Sequence, residues 1–172
     1  MFAAKGKQTD MLLKIIEFPG IDLNYQDYYG YSVAHVAACE GSLESLMSLT
    51  TVTGIDWNLK LSSGHTPLFL ALEKEQLENV RILLHLSNID LKCKVNGKSL
   101  IELAVVKGIE YVEAFINLDG LDWNEKDLAF KALNDGKTEI VKVLLVHGLL
   151  NTSLKDNRGR SLENIARTEP TK

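Results

Sequence analysis

Apolar residues recur along this chain in short helical bursts separated by polar loops. The clearest burst is Leu77 to Leu84, where Leu77, Val80, Leu83 and Leu84 follow the i, i+3, i+6, i+7 spacing that lines one face of a helix. Asp10, Glu44, Glu78, Glu110 and Glu139 each open such a burst, which ends six residues later at Ile16, Thr50, Leu84, Ile116 and Leu145. Fourteen residues after the first four acids a loop motif ends: Ile21-Asp22-Leu23-Asn24, Ile55-Asp56-Trp57-Asn58, Ile89-Asp90-Leu91-Lys92 and Leu121-Asp122-Trp123-Asn124. The fifth copy, ending at Ser153, departs from the pattern.

A second marker keeps the same register. Alanine stands at 37, 71, 104, 132 and 166, and in four of these five cases a glycine, at 30, 64, 97 or 159, lies seven residues before it. The two markers define a unit of about 33 residues with two short helical patterns and a polar loop. Helices this short are marginal alone, because nucleation is unfavourable and one helix pair buries too little apolar surface to offset chain entropy. Stacking of successive units supplies the missing burial.

The unit resembles the ankyrin repeat, whose pattern runs Asp-x-x-Gly-x-Thr-Pro-Leu-His-x-Ala-Ala, a glycine, a second helix and a Gly-x-Asp-Val-Asn loop. The closest match is Gly64-His-Thr-Pro-Leu-Phe-Leu-Ala71. Asp27-Tyr-Tyr-Gly-Tyr-Ser-Val-Ala-His-Val-Ala-Ala38 with Gly41, and Gly97-Lys-Ser-Leu-Ile-Glu-Leu-Ala104 with Gly108, follow it, and 156–166 opens a last copy. The resemblance implies an all-α ankyrin-repeat solenoid of helix-turn-helix units with short β-turn or hairpin fingers. It implies one domain over residues 1–172, in about five to six repeats: 1–26 (partial), 27–60, 61–93, 94–125, 126–155 (lacking a finger) and 156–172 (partial). The missing finger follows from spacing. The motif's final residue and the marker alanine are 12 or 13 residues apart elsewhere but only 8 apart between Asn124 and Ala132, so a notch is expected between 94–98 and 156–160. Both ends are incomplete, since the first repeat starts at Phe2-Ala-Ala and the last stops near Arg167. That suggests a fragment of a longer array, or a short protein with reduced caps.

The repeat letters take physical roles. Gly30, Gly64, Gly97 and Gly159 are expected at finger tips with positive φ. Ser32, Thr66, Ser99 and Ser161 can cap inner helices, and Pro67 fits a first helical turn. At the position of His35 the family's imidazole bridges backbone groups.

Composition narrows the partner class. Among the 172 residues 45% are apolar and 24% charged, with a net charge of −4 and pI near 5.6, so no basic field attracts phosphates and no nucleic-acid partner is expected. The longest apolar runs, such as Val141 to Val146, are far short of a membrane span, and the N-terminus lacks the order of a secretory signal. Two cysteines, Cys39 and Cys93, lie in different parts of the repeat. That favours an intracellular, cytoplasmic setting over a disulfide framework, and the lone sequon Asn151-Thr152-Ser153 weakens this little.

No active site is legible, and the chain is expected not to be an enzyme, with no cofactor and no metal. Gly136-Lys137-Thr138 resembles the end of a phosphate-binding loop, but Lys131 stands where its first glycine belongs. His35, His65, His85 and His147 fall at different places in the unit, with no ligand at metal spacing. Asp22, Asp56, Asp90 and Asp122 are copies of one loop letter rather than one asymmetric constellation. Trp57 and Trp123 either pack over the junction between repeats or stand exposed as anchors. Asn24, Asn58 and Asn124 resemble positions hydroxylated in some ankyrin proteins.

In this family the partner usually meets the concave surface of finger tips and inner helices. Register places Tyr28, Tyr29, Tyr31, Cys39 and Glu40 there from one repeat, and Ser62, Ser63, His65, Glu73 and Lys74 from the next. Val95, Asn96, Lys98, Val106 and Lys107 continue the row, with Asn134 and Asp135 beyond the notch. Four of the five tyrosines, Tyr25, Tyr28, Tyr29 and Tyr31, cluster at one finger, which is expected to anchor a partner protein; the alternative is packing on the first repeat. The expected function is a protein-protein interaction module or scaffold, or else an inhibitor that occludes an enzyme or transcription factor. Uncapped apolar ends predict a monomer or a weak end-to-end dimer.

Overall fold

The computed structural model describes residues 9–40, 42–125, 128–155, 159–162 and 164. Phe2, Gly41, Ala166, Arg167 and 156–158, on which part of the repeat reading rests, lie outside them. The described residues form helices α1 (Thr9–Ile16), α2 (Val33–Cys39), α3 (Leu43–Thr50), α4 (Pro67–Glu73), α5 (Leu77–Leu84), α6 (Leu100–Lys107), α7 (Ile109–Phe115), α8 (Leu128–Asn134) and α9 (Thr138–Val146). One antiparallel hairpin, β1 (Lys94–Val95) with β2 (Lys98–Ser99), pairs Lys94 with Ser99 and Val95 with Lys98. The chain divides into two compact units, Met1–Leu100 and Ile101–Lys172.

In the first unit α2 and α4 are inner helices and α1, α3 and α5 outer ones. The inner pair pack on each other, α3 packs between α1 and α5, and α2 also meets α3 and α5. Thr66 caps α4 by accepting a hydrogen bond from the Phe69 N–H at 3.3 Å, and Pro67 follows in the first turn. Every residue from Pro67 to Leu72 is buried, so α4 is a core helix rather than an amphipathic one. On α5 Val80 and Leu83 are fully buried. Asn79, also buried, donates to the Ala38 carbonyl at the end of α2, 3.0 Å away.

In the second unit α9 packs on α7 and α8, around Val112, Phe115, Val141 and Leu144. Here Lys137 does what Asn79 does above. Its ammonium donates to the Val105 and Val106 carbonyls at 2.8 and 2.6 Å, satisfying the end of α6. The Gly-Lys-Thr triplet is thus a repeat junction. Asn124 is followed by α8 after only three residues, 125–127, where eight, 25–32, separate Asn24 from α2.

The loops carry the same hydrogen bonds over and over. The carboxylates of Asp22, Asp56, Asp90 and Asp122 accept from the N–H two residues on, at 2.8 to 3.0 Å. Asn24 then bridges to the next loop, donating to the Gly54 carbonyl at 2.8 Å and accepting from the Asp56 N–H at 2.7 Å. Asn58 repeats this with Asn88 and Asp90, and Asn124 with Leu149 and Asn151. These side chains are structural rungs between neighbouring loops.

Candidate protein-binding surface

The first finger is built around Asp27. Its carboxylate accepts from the N–H of Tyr29 at 3.0 Å and of Tyr31 at 2.8 Å, while the Gly30 N–H donates to the Asp27 carbonyl at 2.9 Å. The Gln26 amide donates to the carbonyls of Gly30 and Lys60, at 2.6 and 3.0 Å, and so ties this finger to the next. These hydrogen bonds hold the turn, but the two rings it carries are not buried. Tyr28 is 93% exposed and Tyr29 69%, and they meet edge to face with centroids 5.3 Å apart.

Tyr31 points the other way. It is half-buried against a small core of Cys39, Leu61 and Leu70, with its ring edge-on to His35. Cys39, placed on the binding face by register, is therefore corrected: it is 7% exposed, because every residue of α2 from Ala34 to Cys39 is buried and the helix presents no open stripe there. Val95 is likewise buried, whereas Lys94 and Lys98 of the same hairpin are exposed. Glu40, Glu73, Lys74 and Lys98 are exposed, as are Ser62 and Ser63, so the first unit presents charges of both signs as well as the tyrosine tip. In the second unit Lys107 is half-buried at the end of α6 and Val106 is exposed.

His35 sits at the root of the finger and is completely buried. Its Nδ1 accepts from the Ser32 N–H at 3.2 Å and lies 2.9 Å from the Ser32 hydroxyl. A backbone N–H can only donate, so the ring proton is on Nε2, which donates to the His65 carbonyl at 3.2 Å. Burial holds this imidazole below its usual pKa, opposed by hydrogen bonds to the His65 and Leu59 backbones and by the Asp27 charge. His35 is a neutral bridge between adjacent fingers.

His65 has a different environment. Its Nδ1 lies 2.7 Å from the Ser63 hydroxyl, its Nε2 lies 3.4 Å from the Glu73 carboxylate, and its ring stacks edge-on against Phe69. The row Ser63, His65, Glu73 has the residue types of a hydrolytic triad. Ser63 and Glu73 are exposed, so among the described residues the row is open to water rather than enclosed.

Register alone did not separate the rings that face solvent from those that pack. Trp57 and Trp123 are 4% and 2% exposed, so the packing alternative holds and neither is an anchor. The Nε1 of Trp123 is buried without a hydrogen-bond partner among the described residues. Cys39 and Cys93 are both buried, and the Cys93 thiol is pushed above its usual pKa by burial. No His, Cys, Asp or Glu cluster among the described residues could hold a metal ion. None of the described helices is long and apolar enough to cross a membrane.

Comparison with known proteins agrees with this geometry. The family pattern described as Ankyrin repeats (3 copies) matches residues 1–95 and 34–127. An ankyrin repeat protein of Acanthamoeba polyphaga mimivirus is 25% identical over 169 residues, covering 95% of this chain and 21% of that protein. Synphilin-1 of Mus musculus is 28% identical over 145 residues, covering 77% and 15%. The chain thus spans about a fifth or less of the length of these relatives. Among solved structures, the ankyrin repeat domain of Bcl-3, described as a unique member of the IkappaB protein family, aligns with a TM-score of 0.73 at 21% identity, over 92% of this chain and 73% of that one. A chain from the complex of the Bd0816 predatory endopeptidase of Bdellovibrio bacteriovorus with immunity protein Bd3460 aligns with a TM-score of 0.69 at 20% identity, over 96% and 89%.

Proposed function

The chain belongs to the ankyrin-repeat family of protein-interaction modules, and we propose that it binds its partner protein through the tyrosine finger of the first unit. The observation that supports this most is the exposure of Tyr28 and Tyr29, at 93% and 69%, on a turn fixed by Asp27. A stiff aromatic pair buries large area on binding with little entropy left to lose, because the turn is already ordered. Tyr31 sets the stem of the finger. Glu40, His65, Glu73, Lys74 and Lys98 supply a polar rim that tunes register and encounter rate. Lys107, on the second unit, is a further contact candidate.

Affinity capture from cell extract, comparing the wild-type chain with Tyr28→Ala/Tyr29→Ala, tests this reading. Loss of two anchors is expected to weaken binding at least about thirtyfold, with helicity and melting temperature unchanged because neither ring is buried. Equal retention of the same proteins by both versions contradicts the assignment. An inhibitory role is the second reading, favoured by a solved neighbour that comes from an endopeptidase–immunity protein complex. It is separated from tethering by whether the captured partner keeps its activity when bound.

A further inference from the structure

Asn96-Gly97 is the one Asn-Gly pair in the chain, and it forms the two-residue turn between β1 and β2. Both residues are exposed and both are left-handed, with φ 51° and 75°, the arrangement of a type I′ hairpin turn. The pair sets an electrophile next to a nucleophile. Joining the side-chain carbonyl carbon of Asn96 to the backbone nitrogen of Gly97 closes a five-membered ring, and glycine adds no Cβ to hinder the approach. Each of the other asparagines is followed by a residue with a side chain. In Asn24-Tyr25, Asn58-Leu59 and Asn124-Glu125 the amide is also tied to the next loop by hydrogen bonds.

We propose that Asn96 is a self-modification site, converted to aspartate and isoaspartate when this hairpin opens. The Gly97 nitrogen loses its proton to solvent and attacks the Asn96 side-chain carbonyl carbon. The bond from that carbon to the amide nitrogen breaks, ammonia leaves with a proton returned by solvent, and a succinimide remains. Water then adds to one of its two carbonyls. Opening on one side gives aspartate and on the other isoaspartate, whose main chain is one carbon longer; nothing is oxidised or reduced. The closed hairpin opposes the first step. In a type I′ turn ψ of the first central residue is about +30°, which sets Cβ roughly opposite the following nitrogen across the Cα–C bond. Ring closure needs the two on the same side, so the turn must open first, and the rate is that of the unfolded chain multiplied by the open fraction. The two products differ in their effect. Aspartate tolerates a left-handed turn as asparagine does. Isoaspartate lengthens a turn that joins the paired Val95 and Lys98, and Val95 is buried. The change is one-way, so each molecule records whether this hairpin has opened.

The full chain, incubated at neutral pH in buffer and in parallel unfolded in guanidinium chloride, tests this. Proteolytic peptides are followed by mass spectrometry for conversion of amide to acid, with isoaspartate methyltransferase labelling to tell the isomers apart. Conversion is expected at Asn96 before any other asparagine, and at least about tenfold slower in the folded chain than in the unfolded one. Val95→Ala, which removes a buried side chain from the hairpin, should speed conversion in the folded chain severalfold and leave the unfolded rate unchanged. Asn96→Gln, which would have to close a six-membered ring, should show no conversion at this position over the same time. The isoaspartate form, separated by chromatography, should melt below Asn96→Asp, which carries the same charge on an ordinary backbone. The proposal is overturned by equal rates in the folded and unfolded wild-type chain, by earlier conversion at another asparagine, by no conversion at Asn96 in the unfolded chain, or by isoaspartate and Asn96→Asp forms that melt alike.

Discussion

Gly30 and Gly64 hold the same place in consecutive fingers with nearly the same φ, +87° and +85°, yet their surroundings differ. A Cβ added at Gly30 would meet Leu61 Cα at 3.1 Å and the Ser62 nitrogen at 3.2 Å, whereas one added at Gly64 meets nothing within 4 Å. Alanine at Gly64 should therefore lose only the left-handed penalty, about 1 to 2 kcal/mol. Gly30→Ala should lose more, by about 1 kcal/mol or above, because backbone and not a flexible side chain must shift. Urea unfolding of the two variants measures the difference, and equal losses would mean that the first finger is not held against the second. His35 gives a pH signature at the same scale. Its folded pKa lies below the unfolded value of about 6.5, chiefly through burial, so the unfolded chain takes up the proton first as pH falls. Its contribution to stability is complete above about pH 6.5 and is lost as pH falls toward the folded value. In His35→Gln that part of the slope of stability against pH should vanish, and an unchanged slope would show that the ring is not a neutral bridge.

At the scale of elements, much was legible. The expected burst from Leu77 to Leu84 is α5 to the residue, and the other four acids each fall at the second residue of α1, α3, α7 and α9. Those helices repeat a strong apolar spacing, so period alone finds them. The inner helices were harder to use. Register placed Cys39 on the partner-facing side, and it could not say that small residues such as Ala34, Ala37 and Ala38, all fully buried, let neighbours approach until no open face remained. Val95 went astray for a related reason, since two-residue strands carry too short a pattern to show which side faces in. The tyrosine tip was visible as a cluster in sequence, while the separation of Tyr28 and Tyr29 from Tyr31 needed the turn itself. One departure from the repeat offers a test. After α2, α6 and α8 the register has Gly41, Gly108 and Gly136, whereas after α4 it has Glu75 at φ 61°. Glu75→Gly should relieve left-handed strain and stabilise the chain by about 1 kcal/mol, read as a raised melting temperature; a lowered one would show that the strain is offset by other Glu75 interactions.

For the whole molecule, stability comes from repetition and function from what is not repeated. The Asp and Asn loop letters recur with the same hydrogen bonds, and a residue copied four times over in equivalent surroundings has a structural role. Tyr28 and Tyr29 have no counterpart in the other fingers, where register puts Ser62 and Ser63, then Val95 and Asn96. That asymmetry is why the first unit, and not the array in general, is expected to choose the partner. A photo-crosslinking residue placed in turn at Tyr28, at Glu73 and, on the outer helix α5, at the exposed Arg81 tests this most directly, with partner-bearing extract and mass spectrometry as the readout. The account predicts one protein crosslinked from positions 28 and 73 and absent from position 81. Crosslinking from position 81 alone, or equally from all three, would contradict it.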